Sequence, residues 1–101
     1  MKTGIEIIAE ERQRQISVEG WTPEHDAQHE NGELAIAATC YAYPETALYV
    51  GEIRVENWPF EPEYFKPSPR DRVRELAKAG ALIAAEIDRL NNISDETTLQ
   101  P

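Results

Sequence analysis

One cysteine in 101 residues leaves no partner for an internal disulfide, which fits a reducing compartment. That residue, Cys40, stands in Ala37-Ala38-Thr39-Cys40-Tyr41, a small-residue stretch, and reads as a buried small hydrophobe rather than a nucleophile. Long apolar runs are missing as well: nothing approaches the roughly 20 residues that span a bilayer. At the start, Met1-Lys2-Thr3-Gly4-Ile5-Glu6 meets glutamate before any apolar run long enough for a secretion signal, so a cytoplasmic location is expected. Basic residues are scarce, ten against nineteen acidic ones, for a net charge of −9. Duplex nucleic acid and anionic membranes need a basic face to displace counterions, so both are disfavoured as partners. A small phosphorylated ligand in a local basic pocket stays open.

A chain of this length buries only roughly two-thirds of its unfolded surface and holds one core. The pattern predicts a single, mainly α domain over 1–93, with a flexible tail over 94–101. Thr3 and Glu6 have the spacing of a capping box, and Ile5–Val18 follows as a first helix ended by Gly20. Ile5, Ile8, Arg12 and Gln15/Ile16 share one face, with Glu10, Glu11, Arg12 and Arg14 toward its wetter sides. Thr22 as N-cap and Pro23 at the first helical position open a short turn through His29. After Asn31-Gly32, Glu33–Tyr43 reads as a second long helix with Leu34, Ala37, Ala38 and Tyr41 inward, ended by Pro44. Residues 45–66 suit either a short helix or two brief strands near Gly51, then an aromatic, proline-rich connection whose rings plug a core edge.

The longest helix is expected over Arg70–Leu90, with Ser68 as N-cap and Asn91-Asn92 as its end. Val73, Leu76, Ala79/Gly80, Ile83, Ile87 and Leu90 mark one stripe, while Ala81, Leu82, Ala84 and Ala85 extend apolar character around the helix. A chain this small can hardly surround a helix that is apolar on nearly every side. Self-association over Ala77–Leu90, giving a homo-oligomer, is therefore expected.

The densest polar group runs from Glu24 to Glu33 and contains both histidines, His25 and His29, four apart. On a helix that spacing puts both imidazoles on one face, where Asp26 or Glu33 would complete a divalent-metal site. The same residues also serve as hydrogen-bonding groups of a surface turn. Glu30 and Glu33 form an E-x-x-E pair, the spacing that opens the magnesium site of MazG-type nucleotide pyrophosphohydrolases. Its second acidic pair has only Glu86 and Asp88 as candidates, one residue too close, with Arg89 where the aspartate belongs. Glu86 borders the apolar stripe and calls for a cationic partner such as Arg12, Lys78 or Arg89. Lys66, Arg70, Arg72, Arg74 and Lys78 concentrate half of the basic residues near the start of the long helix. With Trp21, Trp58 or Tyr64 as stacking platforms, they suit a nucleotide-like ligand.

Taken together, Glu11-Arg12-Gln13-Arg14-Gln15, Glu19-Gly20-Trp21-Thr22-Pro23-Glu24-His25-Asp26, Gly32-Glu33-Leu34-Ala35, Trp58-Pro59, Lys66-Pro67 and Lys78-Ala79-Gly80-Ala81-Leu82-Ile83 resemble a small protein family encoded by tailed phages and prophages. The resemblance runs through most of the chain up to Leu90. It implies a phage setting, the host cytoplasm and one compact domain, without an activity of its own. The leading expectation is an accessory protein that binds a small nucleotide-like ligand or a host protein without catalysis. Trp21, His25, Asp26, His29, Trp58, Lys66 and Arg70 are its candidate site residues. The rival is a magnesium-dependent pyrophosphohydrolase using Glu30, Glu33 and Glu86, and a third reading is a structural interaction module with no ligand.

Overall fold

The computed structural model describes residues 1–43 and 56–99, with side chains described through residue 92. The expected helix or strand pair over 47–55 lies outside the described residues. Within them the chain is mainly α-helical: α1 (Gly4–Ser17), α2 (Pro23–Asp26), α3 (Glu33–Ala42), a 3-10 turn at Pro62–Tyr64 and α4 (Arg72–Leu99). No strand occurs among the described residues.

Local chemistry sets each helix start. The Thr3 hydroxyl accepts the Glu6 amide while the Glu6 carboxylate accepts the Thr3 amide, the reciprocal pair that satisfies two orphan donors of α1. Gly20 (φ 77°) turns the chain back after α1, so the Trp21 amide donates to the Gln15 carbonyl at 2.9 Å. In this left-handed conformation any Cβ is strained, which favours glycine. Thr22 caps α2 through the His25 amide, with Pro23 in the first turn. Gly32 (φ 80°) stands at the N-cap of α3.

The core lies between α3 and α4. Leu34, Ala37, Ala38 and Tyr41 meet Ala79, Leu82 and Ala85, and the rings of Trp21, Trp58, Phe60 and Phe65 close its edge. Tyr41 anchors that edge: Trp58 meets its ring edge-on at 5.5 Å, Phe65 lies at 5.4 Å, and its hydroxyl accepts the Lys66 amide. Burial pushes the Tyr41 phenol up to about 12, so it stays a neutral hydrogen-bonding group. Across the other side of α4, Ile8 of α1 lies over Gly80. A Cβ there would come within 2.6 Å of Ile8 Cδ1, so the missing side chain lets the helices approach. Cys40 is buried, in line with its reading as a small hydrophobe.

Three expectations are corrected. The long helix starts at Arg72 rather than Arg70, because Asp71 supplies the cap by accepting the Arg74 amide at 3.0 Å. Ser68 instead donates its amide to Glu75 and accepts the Lys78 ammonium on its hydroxyl. Nor does the helix end at Asn91-Asn92: its backbone continues to Leu99, since asparagine costs only about half a kcal/mol relative to alanine inside a helix. Finally, Glu11 and Arg12 do not lie on a wet face. Glu11 is 5 % exposed and accepts two bonds from the Arg14 guanidinium, while Arg12 pairs with Asp26. Arg12 is drawn inward by its partner on α2, and Glu11 by Arg14 together with Arg74 of α4 at 3.7 Å, pairings across helices that helical periodicity does not encode.

Candidate functional site

Around the α1–α2 corner the chain leaves a cavity of about 590 Å³, well inside the range of small-molecule sites. Its walls are Glu19, Trp21, His25 and His29 from the corner, Leu34 from α3, and Pro59, Phe60, Glu61 and Tyr64 from the aromatic connection. The four-residue spacing of the histidines survives because α2 runs on into a turn, with the Gln28 and His29 amides donating to the His25 and Asp26 carbonyls. The two imidazoles meet edge to face, centroids 4.9 Å apart, and Phe60 lies 4.8 Å from the His29 ring. His29 Nδ1 faces the Glu33 carboxylate at 3.6 Å, whereas its buried Nε2 has no hydrogen-bond partner among the described residues. The tautomer protonated on Nδ1 leaves Nε2 as an acceptor.

A second cavity of about 80 Å³ shares Glu19, Trp21 and Tyr64 with the first as a common wall. The rest of its lining is mostly cationic: Arg14, Lys66, Arg74 and Lys78, with Gln15 and Tyr41. Gln15 is 2 % exposed, and its side-chain Oε1 lacks a hydrogen-bond partner among the described residues. Burial, with the nearby Arg74 charge, lowers the Lys78 pKa; its ammonium donates to the Lys66 carbonyl. Of these cations, Arg14, Lys66 and Arg74 already face Glu11 or Glu19, while Lys78 donates to neutral oxygens of Lys66 and Ser68.

Glu19 stands between the two cavities, with Arg14 at 3.0 Å and Lys66 at 3.2 Å. The Arg14 hydrogen bond, aided by that of Lys66 and opposed by burial, holds its carboxyl below the ordinary glutamate value. A carboxyl depressed on folding contributes stability above its unfolded pKa and loses it as pH falls through the folded one. Below about pH 4.5 the Tm of the Glu19→Gln variant should therefore fall less steeply with pH than that of the parent, followed by circular dichroism. Equal slopes would show that the Glu19 pairs contribute nothing on folding.

The structure gathers some of the expected site residues and sends others elsewhere. Trp21, His25 and His29 share the larger cavity, and Lys66 reaches the smaller one. Asp26, expected to contact ligand, is 1 % exposed and is held by Arg12 at 3.1 Å. Trp58 lines neither cavity; it packs on Tyr41, Phe60 and Phe65 and donates its indole N–H to the Glu61 carbonyl. Arg70 is exposed and also off both walls. The basic cluster divides: Lys66, Arg74 and Lys78 meet at the smaller cavity, where Arg74 also faces Glu11, while Arg72 takes the Tyr41, Ala42 and Tyr43 carbonyls at the end of α3.

Among the described residues no three histidine, cysteine, aspartate or glutamate side chains converge as metal ligands. Of the residues expected as metal ligands, His25 turns Nδ1 toward Asp26 at 3.5 Å and His29 turns its own toward Glu33 at 3.6 Å. Glu30, Glu33 and Glu86 do lie within the field of one another's neighbour, the Arg89 guanidinium. Arg89 hydrogen-bonds Glu86, which raises the Arg89 pKa. Glu86 accordingly has the structural pairing expected of it.

Glu19, Phe60, Glu61, Gln15 and Arg14 were not foreseen as lining residues. Glu19 and Gln15 depend on the Gly20 reversal, and Phe60 and Glu61 on the docking of a segment without helical periodicity. Only Glu19, flanking Gly20-Trp21, carried a local signal. No family model, curated protein or solved structure matches this chain.

Proposed function

We propose that this protein binds a small nucleotide-like molecule without catalysing its conversion. One observation carries the reading: an aromatic, histidine-lined cavity and a cationic cavity share a wall, as a flat ring joined to a phosphate requires. The ring stacks among Trp21, Phe60 and Tyr64, where base–aromatic contacts contribute about 1–3 kcal/mol each. Glu61 and His29 Nε2 accept from the base edge, which favours a base bearing an amino group over one that presents carbonyls alone. The phosphate lies toward Arg14, Lys66 and Lys78, and a half-turn of the Gln15 amide offers it a further donor. The setting implied by the resemblance to phage-encoded proteins, the host cytoplasm, supplies such ligands, and the same reading includes a second copy of the chain.

Calorimetric titration with adenine, guanine, cytosine and uracil mononucleotides tests it. Trp21→Ala should weaken binding at least about tenfold, the loss of roughly 1.4 kcal/mol of stacking, with the fold retained by circular dichroism. Lys66→Ala should weaken phosphate-bearing ligands and leave the free nucleoside nearly unaffected. Unchanged affinity in both variants would contradict the site. Turnover that depends on magnesium would restore the hydrolase, and no binding across the series would favour a host-protein partner.

A further inference from the structure

The surface of α4 away from the core is apolar along its length. Val73, Leu76, Ile83, Ile87 and Leu90 are each about half exposed, between 46 and 60 %. They leave on the order of 400–500 Å² of apolar surface in one stripe, at the upper end of what a monomer commonly presents. With Gly80 included, the positions fall 3, 4, 3, 4 and 3 residues apart, the alternation of a coiled-coil seam. The one gap, at Gly80, is covered by Ile8 of α1.

That series of intervals reads the same in both directions. A second α4 laid antiparallel therefore meets this one with every seam residue matched: Val73 with Leu90, Leu76 with Ile87, and Gly80, under Ile8, with Ile83. A bulky residue faces the glycine position in both copies, as a two-fold, self-complementary contact demands. Charge selects the same direction. Over residues 72–82 Arg72, Arg74 and Lys78 outweigh Glu75, and over residues 83–92 Glu86 and Asp88 outweigh Arg89. Antiparallel copies bring opposite signs together, whereas parallel copies oppose like charges. We propose that two copies of this chain associate through α4 as an antiparallel pair in this register. With the flanks counted, the contact removes on the order of 1,000 Å² from water, the low edge of a specific interface.

Sedimentation equilibrium of the full chain should give the mass of two chains, and Ile83→Glu should reduce it to one with an unchanged far-ultraviolet spectrum. Orientation is read from cysteine substitutions. Val73 and Leu90 lie 17 residues apart, about 25 Å along one helix, too far to join within a chain. Under mild oxidation the double variant Val73→Cys/Leu90→Cys should cross-link two chains, and neither single variant should. A monomeric parent, or a dimer indifferent to Ile83→Glu, overturns the interface; cross-linking by either single variant overturns the antiparallel register.

Discussion

Replacing Asp26 by alanine should destabilise the fold by about 3–5 kcal/mol, the cost of leaving one member of a buried ion pair without its partner. Asp26 is 1 % exposed, and the Arg12 side chain that holds it only 12 %. Arg12 also donates to the Trp21 carbonyl, so this pair ties α1, the Gly20 reversal and α2 together. Each kcal/mol moves the Tm of a domain this size by roughly 4–8 °C. A loss of at least about 12 °C is therefore expected in thermal denaturation, with Asp26→Asn losing less because it keeps an acceptor. Were Asp26 instead a ligand contact, the alanine variant would keep its Tm and lose binding alone. Because Arg12 and Asp26 set the cavity wall indirectly, Asp26→Asn should perturb affinity less than Trp21→Ala does.

Arg72→Ala is the second large effect, expected at about 3 kcal/mol. The guanidinium gathers the Tyr41, Ala42 and Tyr43 carbonyls at the end of α3 and faces Glu75 at 3.5 Å. Hydrogen bonds to a charged donor contribute about 1.5–3 kcal/mol each, and the Glu75 carboxylate beneath is fully buried. Lysine should not restore the loss, because one ammonium does not reproduce a planar fork that reaches three carbonyls. Urea denaturation of the alanine and lysine variants measures both. Equal stability of parent and Arg72→Lys would mean that charge alone matters at this joint.

Legibility in the sequence followed the range of the interaction. The capping box at Thr3, the Thr22-Pro23 start, the glycine at position 20 and the inward face of α3 were readable, because each is set by residues within one or two helical turns. Arg72 as a cap for a helix 30 residues earlier was not, nor was the inward turn of Glu11 and Arg12. In those cases a charged side chain lies inside because a partner on another helix meets it. The two faces of α4 show the same limit. Helical periodicity marks both as apolar, yet only packing reveals that Ala77, Ala81, Leu82 and Ala85 face the core and that the longer side chains stay outside.

The candidate site divides likewise. Trp21, His25 and His29 belong to one contiguous stretch and were readable as a group. Trp58 carried the same aromatic signal as Phe60 and Tyr64, but it serves the core edge while they line the cavity. Arg70 and Lys66 looked alike as cations near a helix start, and only Lys66 reaches a cavity.

Native mass spectrometry of the intact protein with mono-, di- and cyclic nucleotides, with and without magnesium, tests the central claim most directly. The account predicts retention of an unmodified nucleotide whose base carries an amino group, independent of magnesium and lost in Trp21→Ala. Release of pyrophosphate or monophosphate only when magnesium is present, or no retained nucleotide at all, would contradict it.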